Sequence, residues 1–312
     1  MSILTLTMNP CIDKSSSIEN VVAERKLRCE EPVYEPGGGG VNVSRAVHKL
    51  GGTSTLIYLS GGQIGRMLDM LLDQEGIVCQ RMPIEGMTRE NLMVYEKATG
   101  QQYRFGMPGP MVVEEEWKQC LGSISAVDPA PEYMVASGSL PPGTPDDFYG
   151  RLARLAKDRH IRLILDTTGE PLRIAVEEGL YMIKPNFREL EALSDTKIDQ
   201  ESCQVTLAEQ IVQKGQSEAL VVSLGAAGAL LVSKDGCERL RVPTVPIKSK
   251  VGAGDSMVGG MVLALERGEP LLNAVRFGMA AGAAAVMTPG TELCRREDTE
   301  RLYEEMLSEG PS

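Results

Sequence analysis

Apolar residues recur along the chain in short uninterrupted runs, separated by amphipathic stretches of helical period. Ile3–Thr7, Thr55–Leu59, Tyr133–Ala136, Arg162–Asp166, Ala219–Ser223 and Ala229–Ser233 read as strands, being short and bounded by Gly, Pro or polar residues. Between them, apolar positions three and four apart predict helices over Val41–Leu50, Gly65–Gln74, Pro145–Asp158, Pro171–Glu178 and Thr206–Gln213. Gly51-Gly52 and Gly76 stop the first two. The last third is helical, over Asp255–Leu265, Leu271–Val286 and Arg296–Leu307. Such alternation is the trace of an α/β fold with a mainly parallel sheet covered by helices.

Two stretches break the rhythm. Ser15–Tyr34 alternates without a helical period, and Asn91–Phe105 reads as a hairpin turning near Ala98-Thr99-Gly100. Together they predict one small β-sheet, over about 14–35 and 88–108, attached to the main domain as a lid and a candidate dimer surface. No internal repeat, low-complexity tract or long linker is visible, so residues 1–312 are expected to form a single domain carrying that lid.

The 312 residues are 42% apolar but only 4% aromatic, so Leu, Val, Ala and Met must fill the core. A balance of 32 basic against 43 acidic residues gives a net charge of −11, which argues against a nucleic-acid or membrane-surface partner. A small anion is still admissible, since a few local cations outweigh a distant acidic surface beyond a screening length of ~8–10 Å. Seven scattered cysteines and two isolated histidines offer no metal clamp, disulfide framework or His-based triad. Met1–Pro10 lacks a basic region, and no run approaches the ~20 apolar residues of a membrane span. A cytoplasmic location is expected.

Two loops carry the chemistry. Ser249-Lys-Val-Gly-Ala-Gly-Asp255 places small residues directly before an apolar helix, whose start leaves unpaired N–H groups and the positive end of the helix dipole exposed to an anion. Asp255, in the first turn, is positioned to take the proton of an attacking hydroxyl, or simply to cap the helix. Pro36-Gly-Gly-Gly-Gly-Val-Asn42 is a second glycine-rich entry into a helix, serving either close ligand approach or a structural turn. It is not the dinucleotide fingerprint, because Asn42 stands where the third glycine belongs, and no Walker-type loop occurs.

These two blocks, in this order and separation, resemble the paired signatures of the ribokinase/PfkB carbohydrate kinase family. Thr7-Met-Asn-Pro10, Ser137-Gly-Ser139-Leu-Pro-Pro-Gly143, Lys184-Pro-Asn-Phe-Arg-Glu189 and Ser223-Leu-Gly-Ala-Ala-Gly228 agree with it, so the resemblance spans nearly the whole chain. Within the family, the four-glycine block, Lys26-Leu-Arg-Cys29 and Gln102-Tyr-Arg-Phe105 resemble the minor-isozyme branch of bacterial 6-phosphofructokinases. The resemblance implies a ribokinase-like three-layer α/β/α fold and ATP-dependent phosphorylation of a hexose phosphate, first of all fructose 6-phosphate to the 1,6-bisphosphate. It implies Asp255 as base and the amides of Gly252, Ala253 and Gly254 as anion hole. Asp13, Gly38, Gly39 and Asn42 would bind sugar hydroxyls. Lys26, Arg28 and Arg89 would hold the sugar phosphate with Ser139 nearby, Lys26 reaching from a second subunit; Arg104 could join them. As exposed strand charges, these cations have ordinary solvation as the alternative.

Lys184, Asn186, Ser223, Gly225 and Gly228 would line the ATP side, with Glu189 organising Mg²⁺ through water. For Lys184 and Glu189, an ordinary surface pair near a helix start is the lesser alternative. The family's monovalent-cation site maps to Ser249, Val251, Ala285, Thr288 and Gly290, implying K⁺. Ser249-Lys250-Val251 departs there from the family's Asp-Thr-Thr run. Alternative substrates are fructose 1-phosphate and tagatose 6-phosphate. The alternative of another class is a non-catalytic sugar-phosphate sensor.

Overall fold

The computed structural model describes residues 2–194 and 201–308. The N-terminal half runs β1 (Ile3–Thr7), β2 (Cys11–Ile18), β3 (Val33–Gly37), α1 (Gly39–Lys49), β4 (Thr55–Ser60), α2 (Gly62–Gln74), β5 (Val78–Pro83), β6 (Arg89–Glu96), β7 (Gln102–Phe105), α3 (Glu114–Ser125) and β8 (Tyr133–Ser137). Then come α4 (Phe148–Asp158), β9 (Arg162–Asp166), α5 (Gly169–Val176), β10 (Leu180–Ile183), α6 (Phe187–Ser194), α7 (Glu201–Gln213), β11 (Ser217–Ser223), β12 (Ala229–Ser233) and β13 (Gly236–Leu240). Three helices close the chain: α8 (Ala253–Glu266), α9 (Leu271–Val286) and α10 (Arg296–Ser308).

The larger sheet has the order β13-β12-β11-β10-β9-β8-β1-β4-β5. Its pairs from β5 to β11 are parallel, whereas β12 and β13 add on antiparallel. Helices cover both faces, which explains why β1 and β8 are buried along their whole length, β1 even at Thr5 and Thr7. One core lies under α1, α8 and α9, a second under α3, α4 and α7, and a smaller third under α2. The smaller sheet, β3-β2-β6-β7, joins a parallel β2–β6 pair to two antiparallel edges. No helix among the described residues is long and apolar enough to cross a membrane.

Helices α8 and α9 are mostly apolar and buried along most of their length, with Asn273 and Arg276 of α9 partly exposed. They approach closely through glycine: a Cβ on Gly260 would stand 2.9 Å from the Gly278 Cα. On another side, a Cβ on Gly259 would meet the Ala46 Cβ at 2.8 Å, so α1 packs almost backbone to backbone on α8. Small residues thus bring two helix starts, distant in sequence, to one end of the sheet.

Candidate active site

Gly252, held at φ 74°, turns the chain into α8. The N–H of Ser256 donates to the Gly252 carbonyl at 2.8 Å, the first bond of the helix. The N–H groups of Ala253, Gly254 and Asp255 are therefore left without an intrahelical acceptor. Gly254 is exposed, and a Cβ there would sit 3.5 Å from the Lys184 Nζ. A helix N-terminus and an ammonium group flank one point, the arrangement that seats an anion.

Asp255 is fixed by the packing of α1 on α8. Asn42, in the first turn of α1, donates from Nδ2 to the Asp255 Oδ2 at 2.8 Å. Asp255 is half-buried and enclosed by protein on most sides. Burial pushes its carboxyl up to about 6, and the charges of Asp166 and Asp13 add to the effect against the Asn42 bond and Lys184. Lys184 pairs with Asp166, the last residue of β9, at 3.2 Å, and the two side chains are only 7% and 15% exposed. Burial works to lower the Lys184 pKa, but Asp166, Asp255 and Glu189 outweigh it and hold the ammonium above the usual lysine range.

The opposite wall belongs to the smaller sheet. Asp13 on β2 accepts from the Asn91 Nδ2 at 3.0 Å and from the Cys11 Sγ at 3.3 Å. It lies in a cleft of about 280 Å³ that is also lined by Lys14, Asn91, Arg104, Val251 and Thr291. Buried polar atoms around this region lack a protein partner: the Oδ1 of Asn9, the Oδ1 of Asn42 and the Nε of Arg89. Such atoms are costly unless something else bonds them, as a polyhydroxylated ligand does.

The four glycines have packing reasons of their own. A Cβ on Gly37 would strike Asp13, one on Gly39 Ser137, and one on Gly40 the Leu6 carbonyl, while Gly38 sits at φ 109°. The loop is thus pressed onto β2 at Gly37 and onto the ends of β1 and β8 at Gly38, Gly39 and Gly40. A structural need for four consecutive glycines, one of the two alternatives the sequence left open, is real here.

Arg89 donates to the carbonyls of Met107 at 2.9 Å and Asn9 at 3.0 Å, and Ser139 Oγ accepts from Asn9 at 3.2 Å. Lys26 and Arg28 are exposed between β2 and β3, with no hydrogen bond or ion pair among the described residues. On the other flank, Asn186 and Glu189 bond reciprocally at the start of α6, Asn186 N–H to carboxylate at 2.8 Å and Glu189 N–H to amide oxygen at 3.0 Å. That is a capping box, whereas the surface pair of Lys184 with Glu189 that the sequence offered does not form, because Lys184 is buried and pairs with Asp166. Burial, opposed by the Asn186 N–H, still raises the Glu189 pKa. Asn186 bridges to Ser223, and Gly225 opens a short turn ending at Gly228. A Cβ on Gly228 would strike the Leu240 carbonyl.

The Ser249 Oγ accepts from the Val251 N–H at 3.2 Å. Thr288 donates from Oγ1 to the carbonyls of Ala285 at 2.8 Å and Leu293 at 2.9 Å, and Gly290 turns at φ 57°. Lys250 is exposed and unpaired among the described residues, so its ammonium is not buried among these oxygens.

A model of the pfkB family carbohydrate kinases matches residues 3–298. The chain belongs to the PfkB family of carbohydrate kinases. The ATP-dependent 6-phosphofructokinase isozyme 2 of Mycobacterium tuberculosis (strain ATCC 25618 / H37Rv) is 42% identical over 302 residues, covering 97% of this chain and 89% of that one. The Escherichia coli phosphofructokinase-2 solved in complex with potassium is 41% identical with a TM-score of 0.94, covering 98% of this chain and 99% of that one. Its structure in complex with fructose-6-phosphate gives 40% and 0.93 over the same shares. The fold of this PfkB kinase is therefore ribokinase-like, with a large, mostly parallel sheet and a smaller one, as expected from the sequence.

Sequence reasoning missed Asp166, Asn91, Asn9 and Lys14 as site residues. A carboxylate ending a parallel strand, as Asp166 does, is itself a signal, because open α/β sheets bind ligands at those ends. Asn9 was visible within the Thr-x-Asn-Pro block but carried no role.

Proposed function

We propose that this PfkB kinase transfers the γ-phosphoryl group of ATP to the 1-hydroxyl of fructose 6-phosphate. The observation that carries the reading is the juxtaposition of Asp255, oriented by Asn42, with the free amides of α8 and with Lys184. Asp255 takes the hydroxyl proton as the oxygen attacks. The amides of Gly252, Ala253 and Gly254 and the Lys184 ammonium stabilise the charge on the moving phosphoryl group. Asp13, Gly38, Gly39 and Asn42 orient the sugar, and Arg89 and Arg104 hold its phosphate with Ser139. Lys184, Asn186, Ser223, Gly225 and Gly228 face the nucleotide. The likeness to 6-phosphofructokinase isozyme 2 and to a phosphofructokinase-2 solved with fructose-6-phosphate supports this substrate over other hexose phosphates.

No cluster of three or more His, Cys, Asp or Glu side chains able to hold a metal occurs among the described residues. Asp166 and Glu189 fit a hydrated Mg²⁺ that arrives with ATP and is held through water, as hard, hydrated Mg²⁺ prefers. Bound there, it neutralises phosphate charge. The oxygens of Ser249, Val251, Ala285, Thr288 and Gly290 fit K⁺, and the exposure of Lys250 leaves them free of a competing ammonium. The smaller sheet acts as the lid of a single kinase domain, and its exposed apolar residues Val22, Leu27, Val33, Tyr95 and Phe105 suit a homodimer formed lid to lid. Lys26 and Arg28, unpaired within the chain, are then free to reach a neighbour's cleft.

A coupled ATPase assay across fructose 6-phosphate, fructose 1-phosphate and tagatose 6-phosphate, with and without K⁺, tests the reading. Fructose 6-phosphate should give the highest kcat/KM. Sugar-phosphate binding without ATP turnover would show a sensor instead.

A further inference from the structure

The largest fully buried side chain of the protein is a charged one that the proposed chemistry does not use. Arg45 lies on α1, one turn beyond Asn42, and is 2% exposed. Its Nε and Nη2 donate to the two carboxylate oxygens of Glu75 at 2.8 and 2.7 Å. Its Nη1 donates to the Pro36 carbonyl at 2.9 Å and the Thr291 carbonyl at 3.1 Å. Glu35, 3.7 Å from the Arg45 Nη2, accepts from the N–H of Thr291 at 3.0 Å and its hydroxyl at 2.7 Å. A Cβ on Gly290 would stand 3.0 Å from the same Glu35 carboxylate. One guanidinium therefore joins the root of the smaller sheet, helix α1 and the loop between α9 and α10.

What these partners have in common is the cleft. Thr291 lines one wall, and Asp13 lines the other, directly across the β2–β3 ladder from Glu35. Neither Arg45 nor Glu35 lines it. Asp13 and Glu35 are like charges at opposed positions of a strand pair, which is unfavourable unless a cation stands near one of them. A bidentate buried guanidinium has a single geometry, so it fixes separations that a flexible ammonium would leave loose.

We infer that Arg45, acting through Glu35 and Thr291, is a positioning residue that sets the width of the sugar-phosphate cleft by clamping the lid root to the 288–293 loop. This rests on the function proposed above, because it names the ligand for which the width is set. Removing Arg45 itself would strand Glu75 and risk unfolding, so the informative variants are Glu35→Gln and Thr291→Val, which leave the Arg45–Glu75 pair intact. Each should raise the KM for fructose 6-phosphate about fivefold, the range of one hydrogen bond, while the KM for ATP moves by less than about twofold. The double variant should be no worse than the poorer single one, since both break one link. Thr291→Ser, which keeps the hydroxyl, should restore most of the affinity. A lower Tm with unchanged sugar KM, equal loss for both substrates, or additive losses would overturn the inference.

Hydrogen exchange reads the clamp without turnover and so separates its failure from that of the function. Amides 288–293 should exchange faster in Glu35→Gln, and those of β2 and β3 faster in Thr291→Val. Unchanged exchange would overturn the clamp even in an active kinase. A wild-type enzyme inert toward every hexose phosphate would sink the function, and faster exchange at both places would then still support the clamp.

Discussion

Asp255 shows how one residue's environment sets its chemistry. A carboxyl at its ordinary 3.8 is a weak base, and burial beside Asp166 lifts this one to about 6. It must be ionised to accept a proton, so kcat/KM should fall as pH drops through about 6 and level off above it. An acid limb near pH 4 would mean that the carboxyl is not perturbed. The same shift bears on stability. A raised carboxyl pKa means that the folded state binds the proton more tightly than the unfolded chain, so ionised Asp255 opposes folding above pH about 6. Asp255→Asn should therefore raise Tm at pH 8, and the gain should shrink below about pH 6 and vanish below 3.8, where both states are protonated. A lower Tm at pH 8 would contradict the burial argument. Arg89, whose Nε is buried and unpartnered, should act on the other substrate. Arg89→Ala is expected to raise the KM for the sugar phosphate at least tenfold, with ATP little changed, as for loss of a charge-assisted contact worth about 1.5–3 kcal/mol. An effect falling on ATP would remove Arg89 from the sugar side.

At the scale of elements, the sequence was most legible where periodicity and burial coincide. Leu271–Val286, Arg162–Asp166 and Ala229–Ser233 stand in the structure with the limits expected from the pattern. Helix starts were less legible. The Pro145 turn precedes α4, which begins at Phe148, and α5 starts before Pro171, at Gly169. Strand β5 was hidden because it lies at the sheet edge with Val78, Cys79, Gln80 and Arg81 exposed, leaving little apolar signal. Strand β13 is also mostly exposed and at an edge. Helix α3 opens on three glutamates that mask its buried face of Trp117, Cys120 and Ile124. The glycine loop was legible as a site but not as a packing device, because nothing local reveals that β1 and β8 pass beneath it. That device is testable: Gly40→Ala should destabilise the fold by about 1–3 kcal/mol in urea unfolding, the usual penalty for forcing atoms into a filled space. A neutral result would mean the loop has room to move.

Over the whole molecule, a net charge of −11 surrounds a cleft lined by Lys14 and Arg104, with Arg89 bonded to the Asn9 carbonyl and Lys184 beside the start of α8. The sequence's exclusion of polyanions and its allowance for a small anion therefore come from the same charge map, read at long and short range. What the sequence could not supply was juxtaposition: Asn42 and Asp255 lie 213 positions apart and meet only because α1 packs on α8. Catalysis depends on that meeting, with Asp255 proposed as the base. The most direct test is single-turnover transfer from ATP to fructose 6-phosphate by Asp255→Asn. The account predicts a rate at least ~10²-fold below wild type with both substrates still bound at near-native affinity, and a rate within a few fold of wild type would contradict it.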